Sequence, residues 1–382
     1  MDRIESINRD RIRWCANERG MSLEDLAVEA GIPAKALAKL MDDGIGLTFA
    51  QLRRLADYFG RGALFFLDAS PVDEARIHTV QYRTLTNQKP ELPFAIRKLI
   101  ERVERQRELY LSLREDMHVD DFQAFSPPEV TSNQPTAAAA AVRAWLGLGQ
   151  ANTFDQYRSA VEARGILVFR SNGYAGRWQI AKDSAILGFS LYSAVCPVIV
   201  VKKSRWETQQ TFTLMHELGH LMLHKASSID DDDDMRSHVG HEREANAFAG
   251  HLLVPDAFLG QIRDDERPAI AEHFDSWLAP YRQRWGVSVE MILRRLMDAG
   301  RLTQERYAAY RSHLRGLAVD DDESGNRAYR HREPKHIFGD TFVRTVLDAL
   351  GARRITATKA CSYLDGLKLS DLHQLEQHIA GH

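Results

Sequence analysis

The sequence is short of everything that would tie it to a membrane or an oxidising compartment. Three cysteines in 382 residues, Cys15, Cys196 and Cys361, are too few, too scattered and odd in number for a disulfide framework. A membrane span needs about 20 apolar residues; the most apolar stretch, Ala194–Val201, has eight. Met1-Asp2-Arg3-Ile4-Glu5 has no apolar core for a signal peptide. A repeat of fixed period is missing too, which sets solenoids aside. Charge of one sign is scarce: the net value is −3, so no overall basic field draws the chain to nucleic acid. What is present, 44% hydrophobic and 27% charged residues, is the profile of an ordinary globular protein. The reading is a cytoplasmic chain of several domains with no membrane partner.

The predicted fold class is α+β, predominantly helical, in four segments. Residues 1–68 read as short helices. Ser22-Leu23-Glu24-Asp25 resembles an N-cap with an acid three residues on, Gly31 breaks the run, and Ala36, Leu37 and Leu40 resume helical spacing after Pro33. Thr48 caps a covering helix with Leu52, Leu55 and Phe59, and the whole is a helix-turn-helix pattern. Segment 69–130 connects, with a long amphipathic helix after Pro93 carrying Ile96, Leu99, Val103, Tyr110 and Leu113 on one side. Ser126 to Pro135 is the clearest linker. Segment 131–300 mixes helices with a small sheet of about three strands, Gly165–Arg170, Ala185–Tyr192 and Pro197–Val201. Segment 301–382 is helical.

The strongest chemical signal is His216-Glu217-Leu218-Gly219-His220. Residues four apart on a helix point the same way, so two neutral imidazoles can share one zinc ion. Glu217 projects beside them as a general base rather than a ligand. The helix is expected to start at a capping box, Ser204-Arg205-Trp206-Glu207. A third ligand is sought in the helix opened by His241-Glu242-Arg243-Glu244-Ala245-Asn246. Glu242 is preferred, with Asn246 one turn on to orient a ligand; Glu244 is the rival, about 200° away around the helix. Two histidines and one glutamate leave a tetrahedral position free, the mark of a catalytic zinc. Candidates for a second donor to the reaction's oxyanion are His238, His241, Tyr174 and Arg177. His224 continues the four-residue series but lies a turn beyond the ion, in a solvated or supporting role. The acidic run Asp230–Asp234 reads as a solvated loop, and Cys196 as a small core residue.

With these residues on the page, the chain resembles the ImmA/IrrE family of metallopeptidases in the version fused to an N-terminal Xre-type helix-turn-helix domain. The carriers are Thr211 to His220, Glu242 to Ala249 and Leu252-Leu253-Val254-Pro255. The resemblance implies that His216, His220 and Glu242 hold the metal. It also implies an endopeptidase that cleaves or helps inactivate a cognate Xre-type repressor, derepressing stress, mobile-element or defence genes.

The first 62 residues hold ten Lys/Arg and ten Asp/Glu, so the N-terminal segment is neutral. Its recognition helix offers only Lys35 and Lys39, and Asp42 and Asp43 follow. DNA binding through these lysines is therefore expected to be weak, and docking onto a protein partner is an equal reading. The competing function is a DNA-binding regulator or antitoxin-type partner that cuts nothing. In the leading one, Ala185–Tyr192 lines the cleft and pairs with an extended substrate.

Overall fold

A computed structural model describes residues 3–4, 6–19, 21–59, 61–72, 80–117, 125–172, 176–316 and 327–380. It is α+β and predominantly helical, and divides into two compact units: residues 1–83 with 92–97, and residues 84–91 with 98–382.

The first unit is a bundle of short helices, α1 Arg9–Glu18, α2 Leu23–Glu29, α3 Ala34–Asp43, α4 Phe49–Phe59 and α5 Ala63–Leu67. Local signals start them. The Ser22 hydroxyl accepts from the Asp25 amide, and Thr48 and Gln51 cap α4 reciprocally. Gly44 ends α3 with a left-handed φ of 73° that a side chain would resist. Ile12, Leu26, Leu37, Leu52, Leu55 and Phe66 fill the core. Two-residue strands β1 (Arg3–Ile4) and β2 (Leu47–Thr48) pair antiparallel beside it. Lys35 and Lys39 are exposed on α3.

After α6 (Val80–Gln88), helix α7 (Phe94–Asp116) buries Ile96, Leu99, Val103, Tyr110 and Leu113, the side its sequence marks as apolar. In the second unit, α8 (Pro135–Leu146) and α9 (Phe154–Glu162) precede a sheet of four strands: β3 Leu167–Arg170, β4 Ile186–Leu191, β5 Val198–Val201 and β6 Ser228–Asp231. Their order is β3-β5-β4-β6, with β3 parallel to β5 and the other pairings antiparallel. All four residues of β5 are buried, as befits a strand covered on both faces. The fourth strand corrects the sequence reading. Two of the acidic run's five residues, Asp230 and Asp231, belong to β6, and Asp230 is 1% exposed rather than solvated.

Helix α10 (Glu207–Gly219) lies against the sheet and α11 (Gly240–Leu253) against α10. The expected capping box is not how α10 begins. Trp206 precedes it in extended conformation with no side-chain cap, while the Ser204 hydroxyl bonds the Trp206 amide and Gln209. The unit continues through α12 (Phe274–Trp285), α13 (Val289–Asp298) and α14 (Gln304–Gly316) to α15 (Glu333–Gly351), α16 (Ala357–Tyr363) and α17 (Leu369–Ala380). Helix α15 sets Phe338 and Phe342 edge-on to Phe169 of β3. It kinks at Gly339 (φ 80°), where a Cβ would sit 1.9 Å from Glu162 Oε1. Among the described residues no helix is long and apolar enough to cross a membrane.

Candidate metal centre

Nearly every residue from Gln210 to Gly219 is buried, so α10 carries its polar groups through the core and each needs a partner. The four-residue spacing brings His216 Nε2 to 3.1 Å from His220 Nε2. Helix α11 crosses α10 closely because both contribute small residues. A Cβ on Gly219 would meet Phe248 Cδ1 at 3.1 Å and Ala245 Cα at 3.2 Å. That approach carries Glu242 to the histidines, its Oε2 3.3 Å from each Nε2. Glu244 faces elsewhere and accepts from His224 Nε2 at 3.0 Å.

The outer nitrogens are held as firmly. Asn246 Oδ1 lies 2.9 Å from His216 Nδ1, while the Asn246 amide donates to the carbonyls of Asp234 and Ser237. This fixes Nδ1 as the protonated nitrogen of His216 and turns the lone pair of Nε2 inward. Beyond Gly219 the chain makes a π-helical turn, His220–His224, that keeps His224 behind His220 with Nδ1 to Nδ1 at 3.1 Å. Burial, then the neighbouring His220 and His241, depress the His224 pKa to about 4 despite Glu244, so its ring is neutral. The proton assignment that satisfies this chain runs His220 Nδ1–H to His224 Nδ1 and His224 Nε2–H to Glu244. His241 stacks on His224 with ring centroids 4.1 Å apart.

Two further carboxylates converge on the pair. Glu217 is fully buried, and burial first, then Asp230, raises its pKa well above the ordinary range. Gly188 of β4 makes its room: a Cβ there would be 2.9 Å from Glu217 Oε1 and 2.7 Å from Thr213 Cγ2. Asp230, which sequence reasoning missed as a site residue, places Oδ2 3.7 Å from His216 Nε2 and 3.5 Å from His220 Nε2. Nothing in a run of five acids marks one as buried; only the short apolar context of Ile229 hints at a strand. Among the described residues Glu217 Oε1 and Oε2 and Asp230 Oδ2 have no well-formed hydrogen bond.

Two buried carboxylates and the partly exposed Glu242 around two imidazoles are an arrangement that a cation resolves and water does not. Burial works against charging either partner. Even so, the imidazoles hold the Glu242 carboxyl below its ordinary range, and Glu242 and Asp230 raise His220. One ligand atom each from His216, His220, Asp230 and Glu242 lies within 4.8 Å of all the others, a set of nitrogen and oxygen donors suited to a divalent metal.

The suggested oxyanion donors that the structure describes make other contacts. His238 is bonded by exposed Arg294, His241 stacks on His224, the Arg177 carbonyl is engaged by Arg102, and Tyr174 lies outside the described residues. Cys196 is buried before β5, its thiol pushed up to about 12 by that burial. Strand β4 does not offer an edge to an extended substrate, since β5 and β6 occupy both sides of it.

Residues 161–297, which contain all these donors, match the model of the peptidase M78 family described as the IrrE N-terminal-like domain. Over 83 residues the chain is 34% identical to a protein of Bacillus phage phi105 named uncharacterized immunity region protein 2. That similarity covers 21% of this chain and 52% of the relative, so the chain spans about half the length of the curated relative it matches. No solved structure matches.

Proposed function

We propose that this chain is an intracellular zinc-dependent endopeptidase that cleaves one protein partner, an Xre-type helix-turn-helix repressor, and thereby controls stress, mobile-element or defence genes. The observation that carries the reading is Glu217. Its buried carboxylate, with no well-formed hydrogen bond on either oxygen, stands beside the convergence of two imidazoles and Glu242. The peptidase match over this stretch and the phage immunity-region relative support a regulatory protease.

Zinc held by His216, His220 and Glu242 would polarise a peptide carbonyl and make water acidic near neutral pH. The rest is the work of the chain's own groups. Glu217 accepts the proton of the attacking water on a carboxylate oxygen and passes it to the amide nitrogen as the peptide bond breaks. Burial and Asp230 raise its pKa, the direction that makes the carboxylate a stronger base toward the water's proton. Asn246 and His224 keep the two imidazoles from rotating, so donor directions are set before the ion arrives. The surrounding burial excludes bulk water and strengthens each electrostatic contact.

The N-terminal unit serves this reading as a docking module. Balanced charge and the exposed Val28, Phe49 and Leu64 favour a protein partner over DNA contacts through Lys35 and Lys39. A gel shift on the operon's own promoter at two salt concentrations is expected to stay negative, and a salt-sensitive shift would place DNA on this unit instead.

Glu217→Gln is the direct test. It is expected to retain one zinc per chain and to lose cleavage of a co-expressed repressor by several orders of magnitude. Undiminished cleavage by that variant refutes the mechanism. One observation favours the alternative, a non-proteolytic regulator or antitoxin-type partner. Asp230 gives the site a fourth donor, and four protein ligands are the usual mark of a structural zinc.

A further inference from the structure

Five of the six distances among the four donor atoms are close to those of ligands around one ion, and all lie within 4.8 Å. Ligand atoms 2.0–2.2 Å from one tetrahedral centre lie about 3.3–3.6 Å from each other. Here His216 Nε2 to His220 Nε2 is 3.1 Å, Glu242 Oε2 to each is 3.3 Å, and Asp230 Oδ2 to the two is 3.7 and 3.5 Å. With an ion held by His216, His220 and Glu242, Asp230 would be placed to supply a fourth ligand where a hydrolytic site would bind water. Its Oδ1 accepts from the Ser228 hydroxyl, whereas the buried Oδ2 has no well-formed hydrogen bond and faces the imidazoles, and the carboxyl also lies against Glu217.

The strand bearing Asp230 occupies a second place of consequence. Strand β6 pairs antiparallel with β4, setting Ser228 opposite Ser190, Ile229 opposite Phe189 and Asp230 opposite Gly188. Gly188 is the residue against which Glu217 rests. An extended chain adding to this edge of β4 would run beside Glu217, and strand addition to a sheet edge is a common way to bind extended peptides. That edge is filled by the protein's own Ser228–Asp231.

Strand β6 is itself buried at Ser228, Ile229 and Asp230, and its flanks are held by polar contacts. Lys89 pairs with both Asp231 and Asp234, Gln88 Nε2 donates to the Ser227 carbonyl at 2.9 Å, and the strand follows a left-handed Lys225 (φ 49°) that ends the π turn. Ion pairs partly open to solvent are weak relative to a buried core and can be exchanged for other partners.

We propose that Ser228–Asp231 is an inhibitory strand, with Asp230 as fourth ligand of the metal and β6 as an internal occupant of the substrate edge. In the resting protein the site binds its ion yet admits neither water nor peptide. Displacing β6 from the Lys89 clamp opens both positions together. The regulatory meaning rests on the peptidase reading above; the four-donor closure does not.

The test uses the full-length chain loaded with cobalt(II), whose visible absorption reports coordination number, and acetohydroxamate as a probe for a free position. The wild type is expected to show an intense four-coordinate spectrum that acetohydroxamate leaves unchanged. Asp230→Ala is expected to keep one cobalt per chain, bind it at least ten-fold more weakly, and respond to acetohydroxamate. Lys89→Ala, which leaves every ligand in place, is expected to gain at least ten-fold in acetohydroxamate affinity, and it carries the test should Asp230→Ala fail to fold. A wild-type spectrum that shifts with acetohydroxamate as readily as those of the variants overturns the proposal. So does a Lys89→Ala protein as closed as the wild type. Co-expression with a repressor separates this from the catalytic reading. A Lys89→Ala site that opens without cleaving leaves the inhibitory closure standing and removes the peptidase, whereas a wild type that is open and cleaves does the reverse.

Discussion

The outer contacts of the two histidines decide how well the site can be formed at all. Losing Asn246 frees His216 to rotate and to protonate either nitrogen, so Asn246→Ala should weaken zinc binding about 10- to 100-fold with little change in global unfolding. A chelator-competition titration checks this, and an unchanged zinc affinity would refute the orienting role. His216 and His220 could be read as a pair because helical spacing alone dictates which side chains share a face. Preferring Glu242 to Glu244 needed only helix rotation and the position of Asn246, and the structure sets Glu244 on His224 instead. Asp230 was illegible, because five consecutive acids carry no periodicity and its burial depends on pairing with a strand about forty residues earlier. Gly188 was equally silent. Gly188→Ala should cost about 1–3 kcal/mol of stability and lower turnover by displacing Glu217. A denaturant melt and an assay measure the two effects separately.

Between elements, the crossing of α10 and α11 is the distance on which the donor set depends. Gly219→Val would place branched carbons against Ala245 Cα and the Phe248 ring, forcing the helices apart. Zinc affinity is then expected to fall at least ten-fold while far-UV helicity persists; an unaltered affinity would show that the close crossing is dispensable. Helices with local punctuation, such as α2 behind Ser22 and α4 behind Thr48, were legible because cap and periodicity agree. The start of α10 was not. Ser204 and Glu207 have the spacing of a capping box, but the chain stays extended through Trp206, and Ser204 spends its hydroxyl on Gln209. Strand β6 escaped for a related reason: pairing energy from β4 overrides the poor strand propensity of aspartate.

At the scale of the second unit, the C-terminal helices are wired into the sheet rather than appended to it. Arg158 on α9 pairs with Glu162 and donates to the carbonyls of Val168, His336 and Ile337, and Arg170 Nη2 lies 2.5 Å from His336 Nδ1. Burial first, then Arg170, Lys203 and Arg158, push the His336 pKa down to about 2. The folded protein therefore keeps this ring neutral while the unfolded chain takes up a proton below about pH 6.5. Stability contributed here is complete above that pH and is lost as the pH falls toward 2, with a limiting slope of about 1.4 kcal/mol per pH unit. Urea melts of zinc-saturated protein between pH 7 and pH 5 should show His336→Gln losing less stability than the wild type on acidification. Parallel pH profiles would refute the assignment.

The bend in α15 carries its own consequence for how this sequence can drift. At Gly339 the backbone takes a conformation only glycine adopts freely, and the space a first carbon would need is already held by Glu162 and Arg158. A library randomised at that codon should return glycine alone among clones that still yield intact protein. One missing methyl group thus makes the tail of the molecule non-interchangeable with any straight helix.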